Sequence, residues 1–302
     1  MFVPTLALAA LATLQQTDTT VAVRPGSRLE IDNFGGEIAV RAWDRSEVRV
    51  HAEHSSRDRI TVSADGQVVT VKASNRRGMT QSVDYDITVP KSMALALSGT
   101  YTDIKVTGVE AEITAETVQG EITVTGGSGY VSLKSVQGAV TLEGCRGRIE
   151  LSSVNEGVTV HGCNGDINAE TVNGDIELTG IESSAVDVST VNGDVTFEGT
   201  FRDAGRYRLS THDGDVAVTI PIRTNASVTV STLNGDFEAC FPVPITGMTP
   251  KHRFTITLGS GSAKVELESF NGDIKLRQPS QTECRGVTKH KDHDRDDNDN
   301  QY

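Results

Sequence analysis

With 302 residues, 29 glycines, 5% aromatic residues and 23% charged residues, the chain can fold, but only around a core of small β-branched side chains. A formal net charge of −13 and the absence of any Lys/Arg stripe argue against a nucleic-acid partner, because such proteins gather cations that displace counterions from phosphate. The four cysteines lack zinc spacing, and no phosphate loop, nucleophile elbow or HisGluXXHis motif is present, so no cofactor is expected.

In chain order, residues 1–14 carry an apolar run from Phe2 to Leu14. It is too short for a transmembrane span but suits a signal peptide, with small residues near Ala10 and Ala12 for cleavage, although no Lys or Arg precedes it. Residues 20–90 then alternate apolar and polar with period two. Turn signals at Pro25-Gly26, Gly35-Gly36, Asp65-Gly66 and Arg77-Gly78 punctuate them. This segment is expected to form an antiparallel N-terminal β cap, shielding the otherwise exposed edge of the repeat region next to it.

Residues 91–279 are organised by one motif, Thr/Ser-Val-Asn-Gly-Asp and its variants. Its third residue falls at 119, 137, 155, 173, 192, 213, 234 and 271, giving steps of 18, 18, 18, 19, 21, 21 and 37. A near-constant period of this size marks a stacked repeat. Apolar rows run through Ile122, Val140, Val158, Ile176, Val195, Val216, Phe237 and Ile274, and through Val131, Ile149, Ile167, Val186, Tyr207, Val228 and Val265. The fold class is therefore all-β: a parallel β-solenoid, β-helix-like, of about 18–21 residues and two strands per coil, with the antiparallel cap before it. One coil alone would not fold, since four or five buried apolar side chains at about 1.5–3 kcal/mol each do not offset a backbone ordering cost of roughly 1–2 kcal/mol per residue. The long last step holds three prolines within 241–253, which argue against a continued inner strand. The charged tail, 280–302, is expected to be structureless.

Each motif position is given an expected role. The valines fill the corner, and Asn155, Asn173, Asn192, Asn234 and Asn271 form a hydrogen-bonded ladder. Gly174, Gly193, Gly214, Gly235 and Gly272 supply backbone freedom. Asp175, Asp194, Asp215, Asp236 and Asp273 stack like charges, which either bind Ca²⁺ or else point to solvent or accept turn amides, screened by salt. Cys145 and Cys163 lie one repeat apart, within reach of a disulfide if the compartment is oxidising, or they form an unbonded ladder of buried thiols. Cys240 with Cys284 is a weaker pairing. His51 and His54 read as surface histidines and Trp43 as packing for the N-terminal segment.

The runs Ile31–Val40 and Tyr85–Pro90, the repeated Val-Asn-Gly-Asp-Ile and the closing Gly259–Ile274 resemble the bacterial putative-adhesin family, β-solenoid domains of unknown function, over about residues 20–278. The resemblance implies an exported, noncatalytic envelope or surface protein. The motifs that carry it are turn and strand signals and transfer no catalytic residue. The expected function is thus binding of an envelope or surface ligand, protein or glycan, along a long repetitive face, with the interruption at 241–253 as its special feature. Two alternatives stand beside it: a structural or assembly module that self-associates by strand addition at the solenoid end, and a carbohydrate-active β-helix enzyme.

Overall fold

The computed structural model describes residues 14–75, 78, 82–249, 253–279 and 288–290, and among them there is no helix. Through the middle of the chain each repeat gives two short strands, and each strand pairs in parallel with its counterpart one repeat on. One ladder runs Ile122–Gly126, Val140–Glu143, Val158–His161 and the start of Ile176–Asn192. The other runs Ile113–Gln119, Ser128–Gln137, Arg146–Ser152, Asn164–Glu170 and the end of Ile176–Asn192. Alternation along each strand sends Ile122, Val124, Val131 and Leu133 and their equivalents inward, where they are buried, and turns the intervening residues to the other face, where Ser132 is nevertheless covered.

The core widens where the coil lengthens. Strand Ile176–Asn192 pairs with Val195–Asp213 through two register shifts, and the extra residues bring in Phe201. Its ring lies 5.3 Å from Phe197 and 4.8 Å from Tyr207. The Tyr207 hydroxyl, inside this cluster, donates to Ser183 O at 2.5 Å and accepts from the Arg202 N–H at 2.8 Å, so its burial is matched by hydrogen bonds.

Both ends depart from the sequential stack that the sequence suggests. The last repeat in sequence, Ala263–Asn271 with Ile274–Arg277, does not lie last. It sits between Val195–Asp213 with Val216–Thr219 on one side and Ala226–Asn234 with Phe237–Ala239 on the other. The segment between these repeats forms an antiparallel hairpin, Ile245–Thr249 with Arg253–Leu258, that covers the outer edge of Ala226–Asn234. The interruption at 241–253 is thus an edge cover in its described part, and residues 250–252 lie outside the described residues. Strand Thr288–His290, in the segment expected to be structureless, pairs antiparallel with Phe237–Ala239. The rest of that tail is outside the described residues, as is 1–13 of the predicted leader.

The N-terminal end mirrors this arrangement. Strand Arg28–Trp43 pairs in parallel with Ala94–Val109 from Arg28 to Arg41, so it is already a coil of the stack and not part of an antiparallel cap. On its other side it pairs in parallel with Val68–Asn75 and Asp84–Pro90, which make the outermost coil. Antiparallel strands cover that outermost coil: Asp58–Asp65 on Val68–Asn75, Glu47–Ser55 on Asp84–Pro90, and Leu14–Ala22 beyond. The capping segment is therefore mixed, parallel against the stack and antiparallel only on its outer side.

Candidate functional site

The repeat corner is built differently from the sequence expectation. The hydroxyl residue of each motif, Thr117, Ser135, Ser153, Thr171, Thr190, Thr211, Thr232 and Ser269, is the one that points inward and is buried. Each hydroxyl donates to a backbone carbonyl of the adjacent coil, as Thr190 Oγ1 does to Gly174 O at 3.0 Å and Thr211 Oγ1 to Gly193 O at 2.8 Å. The following apolar residue faces out. Val118, Val136, Val172, Val191, Leu233 and Phe270 are between 40% and 50% exposed. Valine therefore does not fill the corner. A small hydroxyl side chain does, because the tight approach of neighbouring coils leaves a carbonyl there that needs a donor.

Next outward comes the amide ladder: Asn173 Nδ2 donates to Asn155 Oδ1 at 3.3 Å, Asn192 to Asn173 at 2.8 Å, Asn271 to Asp213 at 2.6 Å and Asn234 to Asn271 at 2.8 Å. Glycine follows. At Gly193 φ is +153° and an added Cβ would run into Gly174 O, whereas Gly174 has no positive φ and is held to glycine by the closeness of the Glu156–Gly157 backbone.

The aspartates form a ladder of their own. Asp175 Oδ1 accepts the backbone N–H of Asp194 at 2.8 Å, Asp194 that of Asp215 at 2.8 Å, Asp215 that of Asp273 at 2.8 Å, and Asp273 that of Asp236 at 2.9 Å. One oxygen of each of these four is therefore committed to backbone, and Lys275 Nζ lies 2.5 Å from Asp215 Oδ2. Burial works to raise the Asp215 pKa, but the Lys275 hydrogen bond, the Asp273 N–H and the Lys275 charge together hold it below the ordinary carboxylate value. Among the described residues no three His, Cys, Asp or Glu side chains converge as a metal site would require. The same device appears at Asp103, which accepts the Glu121 N–H at 2.9 Å, and at Asp84, which accepts the Glu37 N–H at 3.0 Å.

A trough of about 630 Å³ crosses the outward face of the second ladder. Its charged lining is polarised along the stack. Glu150, Asp166 and Asp187 lie on one half, with Arg148 beside them, and Arg206, Arg208 and Lys264 on the other, with Glu266. Arg148 Nε bonds Glu150 Oε1 at 2.9 Å and the Tyr130 hydroxyl bonds Glu150 Oε2 at 2.8 Å; the Tyr130 bond first and Arg148 second hold Glu150 below the ordinary carboxylate range. Arg208 pairs with Glu268 at 3.2 Å. Arg206 and Lys264 face each other across adjacent strands, and neither ion-pairs among the described residues. Two exposed cations at roughly one strand spacing repel, and an anion placed between them would relieve that repulsion.

A family model described as Toastrack DUF4097 matches residues 26–277. The chain belongs to that family. No curated protein matches it. Among solved structures, this Toastrack chain is similar to a putative cell adhesion protein from Clostridium sporogenes ATCC 15579 (11% identity over 88% of this chain and 100% of that one, TM-score 0.24). It is also similar to a putative adhesin from Parabacteroides distasonis ATCC 8503 (9%, 87% and 97%, 0.47) and one from Bacteroides fragilis NCTC 9343 (12%, 87% and 97%, 0.43). Superpositions this loose carry no functional argument.

The Toastrack chain joins Cys145 and Cys163 in a disulfide, with Cα atoms 4.6 Å apart. Cys240 is disulfide-bonded as well, and Cys284 lies outside the described residues. His54 is buried and not on the surface: Nδ1 donates to Ser55 O at 2.9 Å and Nε2 accepts from Thr17 Oγ1 at 2.8 Å. Trp43 donates from Nε1 to Glu47 O at 2.8 Å, with the Arg45 guanidinium 5.0 Å from its ring centre. Sequence reasoning missed the Arg206–Lys264 pair because the two strands that bring it together are neighbours only through the reordered C-terminal coils.

Proposed function

We propose that this protein is an exported, noncatalytic component of the cell envelope or surface, and that it binds a ligand along the outward face carrying the Arg148–Lys264 trough. The unpaired Arg206–Lys264 couple carries this reading. On a chain of net charge −13, two cations held side by side on rigid strands have no structural partner, yet they suit the carboxylate, sulfate or phosphate group of a surface glycan or an acidic protein segment. The acidic half of the trough, through Asp166, Asp187 and Glu150, supplies acceptors for hydroxyl or amine groups farther along the same ligand. Export is supported by the apolar run at 2–14 and by the Cys145–Cys163 disulfide, a bond that persists in oxidising compartments.

Two experiments test the reading. Binding of acidic and neutral polysaccharides to the wild type is compared with that of Arg206→Glu/Lys264→Glu. A selective loss of the acidic ligands, by tenfold or more, supports the site, and equal retention by the variant removes it. Protease shaving of intact cells carrying a tagged copy tests the location: a tag fully protected despite confirmed export sinks the surface assignment.

A further inference from the structure

The outward residues of the repeat corner line up across the reordered stack as Val118, Val136, Val154, Val172, Val191, His212, Phe270 and Leu233. Backbone bonds from Asn155 to Val136 O, Asn173 to Val154 O and Asn192 to Val172 O fix the first part of this order. The pairings Thr190↔Thr211, Thr211↔Ser269 and Thr232↔Ser269 fix the rest, with the His212 and Phe270 rings stacked at 4.7 Å. Nothing in the repeat requires this apolar column to be exposed, since the buried hydroxyl beside it already holds the corner. A ridge of this length, apolar at every row but His212 and exposed at every row but the half-buried Val154, is a candidate contact surface.

We infer that this ridge is the interface at which two copies of the chain associate side by side. Three observations favour a second copy over another occupant. First, the ridge repeats at the strand spacing of about 4.8 Å, and a copy offers the same apolar residues at the same interval, so that each valine seats between two of its partner's as in paired ladders of identical side chains. Second, the strip is nearly neutral on an otherwise acidic molecule. Beside the ridge run Gln119, Gln137, Asn155, Asn173, Asn192, Asp213, Asn271 and Asn234, among which Asp213 alone carries a charge, with His212 Nε2 3.9 Å from it. Two copies therefore bring few charges into the contact itself, while the column Asp175, Asp194, Asp215, Asp273 and Asp236, two residues beyond the amides, borders it and, on a chain of net charge −13, limits its strength. Third, the area sets the strength. Eight rows span about 34 Å, and with the amide column a strip about 12 Å wide buries roughly 800 Å² in total, below the usual range for stable complexes. The association is weak and reversible, and it is self-complementary about a two-fold axis. It lies along the side of the stack, away from the covered ends and from the trough.

Sedimentation of the full chain from about 2 to about 500 μM tests this. The wild type is expected to pass from monomer to dimer with a dissociation constant on the order of 0.1 mM. Val172→Lys/Val191→Lys is expected to weaken the dimer at least tenfold, and Val172→Leu/Val191→Leu to retain it, with thermal melts showing that both fold. Single cysteines give a second readout: Val191→Cys forms a disulfide-linked dimer on mild oxidation, and Asp187→Cys, in the trough, does not. A monomer at every concentration, or a dimer indifferent to the lysines, overturns the inference. So does a monomer that sediments with phosphatidylcholine vesicles and loses that property in the lysine variant, which would make lipid the occupant.

Discussion

The middle of the stack and its two ends solve one problem by opposite means. In the middle, every coil touches the coils before and after it in sequence, and the same four devices recur: a buried hydroxyl on a carbonyl, an amide ladder, a glycine pressed on its neighbour, and a carboxylate on the next backbone N–H. At the ends the order is exchanged. The outermost coils are Val68–Pro90 and Ala226–Ala239, while the coil first in sequence and the coil last in sequence lie one place inward. A repeat can dictate how one coil meets the next, but it has no means of stopping. Stopping requires strands that run the other way, and a first or last coil held between two others frays only by breaking ladders on both sides.

The largest effect expected from this contrast is in the middle. Gly193→Ala places a Cβ on Gly174 O at a φ of +153°, and the loss should exceed about 3 kcal/mol or prevent folding, as seen in denaturant titration. Thr190→Val keeps the shape but strips the donor from Gly174 O, which costs about 1–3 kcal/mol. Val191→Thr, one residue on and facing out, should stay within about 0.5 kcal/mol. A reversed ranking would restore valine as the corner filler.

At the N-terminal end the sign changes. The Tyr85 hydroxyl is buried without a hydrogen-bond partner among the described residues, and burial first, then the charges of Asp58 and Asp32, raise its pKa above the ordinary tyrosine value. Tyr85→Phe should therefore stabilise by about 1 kcal/mol. Because the folded pKa is raised, the wild type should lose stability as pH climbs past about 10, where the unfolded chain ionises and the folded one does not. The variant should lack that slope.

A small effect is expected near the C-terminal end, where Lys275→Met removes the partly exposed ion pair with Asp215 at a cost below about 1 kcal/mol at neutral pH. The Asp215 pKa is depressed in the folded state, so the pair's contribution is present above the ordinary carboxylate range and is lost as pH falls through the lowered value. The variant should show a shallower acid limb below about pH 4.

Periodicity made the strands and their inward rows legible, because a side chain's face follows from its parity within the strand. Parity could not decide the corner, where the chain turns and the inward position passes from the apolar to the hydroxyl residue. The threonines and serines at 117 through 269 were visible as part of the motif, but the carbonyl that draws them inward comes from the neighbouring coil. The exchanged order was hidden for a related reason: Tyr207 could face Val228 or Val265 equally well by pattern, and only the hairpin geometry chooses Val265. With that choice hidden, the Arg206–Lys264 pair and the continuity of the ridge through Phe270 were hidden too.

The exchanged C-terminal order is the claim on which trough and ridge both depend, and cysteine trapping tests it directly. Ser210 lies opposite Glu268, and Glu268 opposite Ser231. Ser210→Cys/Glu268→Cys should therefore form a disulfide within the monomer on mild oxidation, while Ser210→Cys/Ser231→Cys should not. Efficient closure of the second pair and failure of the first would show that the coils stack in sequence order and would contradict the account.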